Sequence, residues 1–482
     1  MAKSKESASA RVRGKIGHPV IDADGHILEV SPVLLEYISQ IGGSGMVQRY
    51  MESPPMRRFA RQMALRTPLA ERRDHWSGLS TWWMFPTKNG LDRATAMFPR
   101  LLNERMDELG FDYAILYPTE GVTLTTIADT ELRQVATRAL NTYLMDLLRP
   151  YARRMTPVAL IQTHSPQEAV AGLEHAASLG FKAAVLSGYV IRPVPRVARE
   201  MPKASSYASR LDLLALDSEL DYDPLWQACR RLKIAPAFHN TSMGFGTRRS
   251  PANFVFNHIG GAAQALEAIA KSLVLGGVTR RFPDLTFSFL EGGVAWGCST
   301  YADLIGHWEK RNVAALSWVD PENLDAGLIE RLAAEYGDAR VQASMGALSS
   351  QLRELQPRPA EGEQDDFARC GVSRPEDFIE RYARPFFFGC EADDPMTAWA
   401  FDRRVNPFGQ QLQAMLGSDI GHWDVQEMRE VLAESHEMVE QGLLSPEDFR
   451  QFTFSNAARA YATVNPAFFE GTSVAEAVRG LG

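Results

Sequence analysis

Cysteine is scarce in this chain. The four that occur, Cys229, Cys298, Cys370 and Cys390, show neither the paired spacing of a zinc finger nor the density of a disulfide scaffold. Free thiols packed in a core, in a reducing compartment, are what that scarcity predicts. There is also no uninterrupted apolar run of about 18 residues, the length a membrane-crossing helix needs. The basic start MAKSKESASARVRGK leads into no apolar stretch of signal-peptide length. The expectation is a soluble cytoplasmic enzyme with no membrane partner, in which residues 1–17 form a flexible tail before a single domain over 18–482. Charge of one sign is lacking too. The 51 Lys and Arg against 59 Asp and Glu leave a net charge of −8, and Arg72-Arg73 and Arg280-Arg281 are isolated pairs, so no basic footprint for nucleic acid exists. The glycine fingerprint of dinucleotide binding is missing as well, since Asp24-Gly25-His26 lacks its second and third glycines.

What is present is enough apolar material, 45% of 482 residues, for a large core. Short β-branched or aromatic runs alternate with helical stretches, the pattern of parallel strands joined by crossover helices. There are eight such runs: Pro19 to Ala23, Asp112 to Tyr117, Pro157 to Gln162, Ala183 to Leu186, Ala235 to His239, Thr286 to Leu290, Pro385 to Gly389 and Gln413 to Leu416. Glu131 to Leu148, Ser165 to Leu179 and Pro224 to Leu232 carry apolar residues at helical spacing between them. A closed (β/α)8 TIM barrel accounts for this order better than an open sheet. Three excursions are too long for simple connections and read as insertions after strands 1, 4 and 6: Ser31 to Arg100, Tyr189 to Leu216 and Ser317 to Glu380. The first carries Trp76, Trp82 and Trp83, which suit a pocket or a partner, and the third includes the charged stretch Gln356 to Asp366. Val425 to Gln441 and Pro446 to Thr463 read as closing C-terminal helices.

Acidic and imidazole side chains gather where these strands end. Asp22, Asp24 and His26 alternate at the end of the first strand, and an extended chain points all three the same way. His239 ends the fifth strand, Glu291 the sixth and Asp419 the eighth, and in a barrel those ends converge on the face that carries active sites. Each has a plainer explanation alone: Asp24 or Asp419 as a helix cap, His239 as a core histidine, Glu291 as a support for another ligand. Together they form a donor set for zinc, iron or manganese, one or two ions per chain. His422, in SDIGHWD, lies on the loop leaving the last strand and is within reach of the same pocket. His258, in VFNHIGG, is as readily a helix-start residue as a functional one. His164 sits in an N-cap setting, while His18, His75, His175, His307 and His436 lie away from strand ends.

The segments VIDADGHILEVSP, RMDELGFDYAILYPTEG, APAFHN, KSLVLGGVTRRFPDLTFSFLEGGVAW, LGSDIGHWD and FSNAARAYA, in this order from about Val20 to Tyr461, resemble the amidohydrolase-related family, also called amidohydrolase family 2. That family includes metal-dependent hydrolases and nonoxidative decarboxylases such as aminocarboxymuconate-semialdehyde decarboxylase. The resemblance implies that the acidic-x-His pair falls on Asp24 and His26, the strand-five histidine on His239 and the strand-eight aspartate on Asp419. One departure stands out: the decarboxylases usually carry a histidine where FLEGG places Glu291. A carboxylate there suits a general base or a ligand to a second metal.

The expected reaction is therefore hydrolysis of a carboxylic-acid derivative, an amide, lactone or thioester with a bulky apolar part. Asp419 or Glu291 would accept the proton of a metal-activated water, and His422 or His258 would stabilise the tetrahedral intermediate. The alternative is decarboxylation of an aromatic or unsaturated acid, which needs a proton donor that Glu291 could supply. A third possibility is a non-catalytic binding protein on the same barrel, against which the intact ligand set argues. A homodimer rests on general frequency alone.

Overall fold

Parallel strands covered on both faces demand apolar side chains on both, and the eight runs have that character. In the computed structural model, which describes residues 6–57, 67–79, 85–239, 249–354 and 363–481, they become β1 (Ile21–Ile27), β2 (Tyr113–Pro118), β3 (Met155–Pro157), β4 (Ala159–Ile161), β5 (Ala183–Leu186), β8 (Ala235–Phe238), β9 (Phe287–Phe289), β10 (Phe386–Cys390) and β11 (Gln413–Leu416). A short antiparallel hairpin, β6 (Val190–Pro193) and β7 (Ser209–Asp212), stands apart. All residues of β1, β2, β5, β8, β9 and β10 are buried.

The ladders run β1-β2-β3 and β4-β5-β8-β9-β10-β11, every pair parallel. β3 and β4 are halves of one strand bent at Val158, whose N–H still donates to the Leu116 carbonyl at 3.0 Å. Counted once, that strand makes a single round of eight. The last strand meets the first without a ladder: just past β11, Asp419 N–H donates to the Asp24 carbonyl at 2.9 Å, and His26 N–H donates to the Ile420 carbonyl at 3.2 Å. This is the (β/α)8 barrel that the order of runs predicts.

Crossover helices cover the barrel, among them Thr130–Leu148, Pro166–Leu179, Asp223–Leu232, Gly261–Leu275 and Ala295–Arg311. Asp129 caps the first through the N–H of Leu132, and Ser165 caps the second through that of Glu168. Phenylalanine packs the layer between the strands and their covering helices: Phe238 meets Trp226 at 6.5 Å, and Phe289 and Phe388 meet Trp296 at 5.7 and 5.3 Å. Phe238 stacks on Phe289 at 5.3 Å between centroids and Phe289 on Phe388 at 5.9 Å, each burial being worth about 1.5–3 kcal/mol.

The structure differs from the sequence reading in several places. β1 extends to Ile27, so Asp24 and His26 lie inside the strand, and its register against β2 shifts between Asp22 and Gly25. That irregularity breaks the expected alternation, and Asp22 turns toward Ser418 instead of sharing a face with Asp24 and His26. The tail expected over residues 1–17 is in part a helix, Ala8–Lys15, capped by Ser7. It is held because Ser9 Oγ accepts the N–H of Leu432 at 3.1 Å and Arg13 pairs with Asp112 at 2.6 Å. The insertion after the fourth barrel strand contains the β6–β7 hairpin, which short Pro- and Arg-rich runs did not signal. In the third insertion the helices Ala326–Tyr336, Ala339–Ala343 and Met345–Arg353 bury no residue. In the first, Trp76 is 56% exposed, while Trp82 and Trp83 fall outside the described residues, as does most of the charged stretch from Gln356. All four cysteines are buried and free, and no helix among the described residues is long and apolar enough to cross a membrane.

Candidate metal centre

The barrel brings the predicted donors to one place because they lie in β1 from its midpoint on, or just past the carboxyl ends of β8, β9 and β11. Asp24 and His26 project from β1, His239 follows β8, Glu291 follows β9 and Asp419 follows β11. The donor atoms of Asp24, His26 and His239 lie within 4.8 Å of one another, and those of His26, Asp419 and His422 do the same. His26 is common to both triads. Its Nε2 stands 3.2 Å from His239 Nε2, 3.3 Å from Asp419 Oδ1 and 3.7 Å from Asp24 Oδ1. His422, expected to assist catalysis, thus stands among the ligand donors, with Nδ1 at 2.5 Å from Asp419 Oδ1. Glu291 belongs to neither triad, but its Oε2 is 3.5 Å from His239 Nε2.

Backbone strain marks the same spot. Asp419 and Glu291 both adopt left-handed conformations, with φ of 49° and 62°, which cost a non-glycine residue about 1–2 kcal/mol. Gly417 beside them is needed for close approach, because a Cβ there would stand 3.0 Å from the Cβ of Asp24.

The charges are poised for a cation. Burial raises the carboxyl groups of Asp24 and Asp419 well above the usual carboxylate range, with Glu291 adding like charge to the first and Asp424 and Glu291 to the second. Burial and the neighbouring imidazoles of His422 and His239 hold His26 well below its ordinary pKa, and burial takes His239 down to about 4. Neutral imidazoles are ligands, and Asp24 Oδ1 is buried with no hydrogen-bond partner among the described residues. Two carboxyl groups that are costly to ionise without a counter-charge, among neutral imidazoles and with a buried acceptor oxygen left over, fit a divalent metal ion, whose charge would offset that cost; the imidazole and carboxylate set suits zinc, manganese or iron(II).

A cavity of about 410 Å³ opens beside this cluster, and His258, Glu291, Glu391, Asp394, Trp423 and Asp424 are among its lining residues. His258, ambiguous in the sequence, therefore faces the pocket, and its ring meets that of Trp423 edge-on at 5.5 Å. Phe254, buried and not itself among the lining residues, backs this pair at 6.0 Å from Trp423 and 5.0 Å from His258. Burial raises Glu291, with Asp424 adding to the effect, and pushes Glu391 up to about 8. Sequence reasoning passed over Glu391, Asp394 and Asp424. The run EADD directly after β10 and the Asp two residues beyond His422 were the available signals, each being acidic past a strand's carboxyl end. It also passed over Tyr117 and Tyr461, fully buried and hydrogen-bonded to each other at 2.9 Å, with the Tyr117 ring 6.0 Å from that of His239. His164 lies outside this group, preceding the helix-capping Ser165, and its carbonyl accepts from Arg192 at 3.1 Å.

Among solved structures, the chain is similar to an amidohydrolase from Mycobacterium avium subsp. paratuberculosis K-10, at 16% identity and a TM-score of 0.45, covering 77% of this chain and 76% of that one. It is also similar to 5-carboxyvanillate decarboxylase from Sphingomonas paucimobilis, at 14% identity and a TM-score of 0.47, over 92% and 98% of the two chains. A dihydroxybenzoic acid decarboxylase from Polaromonas sp. JS666, solved with manganese and the inhibitor 2-nitroresorcinol, matches at 12% identity and a TM-score of 0.49, over 94% and 99%. No curated protein matches the chain. The amidohydrolase family model matches residues 21–342, a span that holds β1 through β9 and four of the strand-end residues described above, and the chain belongs to the amidohydrolase family.

Proposed function

We propose that this chain is a divalent-metal enzyme that breaks a bond at the carboxyl-derived carbon of a small, ring-sized molecule, with Asp24, His26, His239 and Asp419 as its metal ligands. One observation carries this reading: two overlapping triads of nitrogen and oxygen donors, sharing His26, stand at the strand ends of the barrel. The metal, when bound, would supply Lewis acidity toward a substrate oxygen.

Nonoxidative decarboxylation is the first form of the reaction. The aromatic wall that His258 and Trp423 form, backed by Phe254, favours a planar ring, and a cavity of about 410 Å³ accommodates a monocyclic acid. In that reaction the bond from ring to carboxyl carbon breaks and its electron pair stays on the ring carbon. Carbon dioxide leaves, and a proton held at Glu291 Oε2 takes its place. Hydrolysis is the second form, and the same residue favours it: Glu291, as a carboxylate 3.5 Å from His239, is placed to accept a proton from water attacking a carbonyl. His422 stands beside Asp419, where it can donate to the oxyanion that hydrolysis would develop.

The test uses protein loaded with manganese or zinc and a panel of hydroxybenzoates and aryl esters or lactones, in water enriched in oxygen-18. Metal-dependent carbon dioxide release with no label in the ring product supports decarboxylation. Label in a new carboxylic acid supports hydrolysis. A protein that binds neither metal removes both forms.

A further inference from the structure

Asp22 is fully buried, belongs to neither donor triad and has no part in the chemistry proposed above. Its carboxylate is nevertheless completely engaged. Oδ1 accepts the backbone N–H of Asp24 at 3.2 Å and that of Ser418 at 3.0 Å, while Oδ2 accepts the Ser418 hydroxyl at 2.6 Å. One side chain from β1 therefore grips Asp24, a proposed ligand, and Ser418, which precedes another, across the seam where β11 meets β1 without a ladder. The grip has been given room: a Cβ on Gly25 would fall 2.5 Å from Asp22 Oδ2 and 3.0 Å from a Leu116 methyl, so only glycine leaves the carboxylate where it is.

What the grip holds is a strained turn. Asp419, next after Ser418, has φ of 49°, and its N–H is tied to the Asp24 carbonyl at 2.9 Å. The Ser418 hydroxyl also accepts the N–H of Ile420 at 3.3 Å, so the hydrogen bonds of Asp22 and Ser418 bracket Asp419 on both sides. A residue in the left-handed region persists only where its surroundings over-determine it. We propose that Asp22, acting through Ser418, is a positioning residue that sets the distance and angle between Asp24 and Asp419 as ligands, and so tunes metal affinity and ligand geometry without touching metal or substrate. This rests on the metal reading above. Groups that orient ligands from behind typically change affinity by about 10–100-fold when removed.

The test is cobalt(II) binding to the full chain, read as a dissociation constant by chelator competition and as the visible ligand-field spectrum. Asp22→Ala should weaken binding by about 10–100-fold and shift the bands. Asp22→Asn, whose amide oxygen can keep both backbone contacts, should stay close to wild type. Ser418→Ala, which removes a single hydroxyl and serves if Asp22→Ala does not fold, should give a smaller loss in the same direction, with Ser418→Thr restoring it. Folded Asp22→Ala or Ser418→Ala protein with wild-type affinity and spectrum would overturn the proposal even if its melting temperature fell, because a merely structural residue does the latter alone. Wild-type protein that binds no cobalt would instead overturn the metal reading together with the clamp that depends on it.

Discussion

Changing Asp419 to Asn should separate the two effects of one buried carboxylate. The residue is 3% exposed, and burial, with Asp424 and Glu291 adding like charge, holds its pKa well above the ordinary range. A carboxyl group raised in the folded state contributes its full stability at low pH and loses that contribution as pH rises through its folded value. Metal-free wild type therefore carries a penalty near neutral pH that the unfolded chain does not. An amide has no charge to desolvate, and asparagine tolerates the left-handed backbone found at this position. Relieving a buried, unneutralised group is worth about 1–3 kcal/mol. In chelator, Asp419→Asn should thus be more stable than wild type by that amount at about pH 7.5, and by little at about pH 4. With metal the order should reverse. An ion at about 100 times its Kd adds about 2.7 kcal/mol to the state that binds it, a gain that wild type should show and the variant should lose, along with turnover. Urea unfolding at both pH values, with chelator and with manganese, reads all of these differences. A variant less stable than wild type in chelator near neutral pH, or one that keeps the full metal-induced gain, would refute the reasoning.

His164 offers an acid-side counterpart. Burial first, then Arg133 and Arg192, push its pKa down to about 4, so its contribution is intact above its unfolded value and is lost as pH falls toward about 4. His164→Gln should flatten that limb of the stability curve by about 3 kcal/mol, measured by urea unfolding between about pH 7 and 4. Arg133, with its side chain 2% exposed, joins Glu168 at 2.8 Å and donates to the Ile127 carbonyl at 2.7 Å, tying Thr130–Leu148 to Pro166–Leu179. Arg133→Met leaves Glu168 buried and unpaired and should cost about 3–5 kcal/mol by the same assay. Trp423→Ala removes one side of the aromatic wall and should raise KM for an aromatic substrate on the order of tenfold while leaving metal content unchanged, as read by kinetics beside elemental analysis.

Much of the candidate site was legible because barrel chemistry obeys a positional rule. Once the strands were located, the acidic and imidazole residues at their carboxyl ends were candidates whatever the reaction, and Asp24, His26, His239 and Asp419 do converge. Boundaries were less legible. Pro19 and Val20 look extended in sequence but precede β1, whereas its continuation through polar Asp24-Gly25-His26 depends on ladder bonds to β2 that no local pattern encodes. The helix at Ala8–Lys15 has the polar composition of a tail; it is held by contacts to Leu432 and Asp112, far away in the chain.

By itself, then, the sequence determined the alternation that makes a (β/α)8 barrel and the residue types available at its mouth, since both follow from local spacing. Only the tertiary structure decided how those residues divide their work. It set His422 among the ligand donors, His258 and Glu391 on the pocket wall, and Asp22 against Ser418. The physical reason is that a side chain's role depends on what lies within a few ångströms of it, and across the seam between β1 and β11 those neighbours come from opposite ends of the chain.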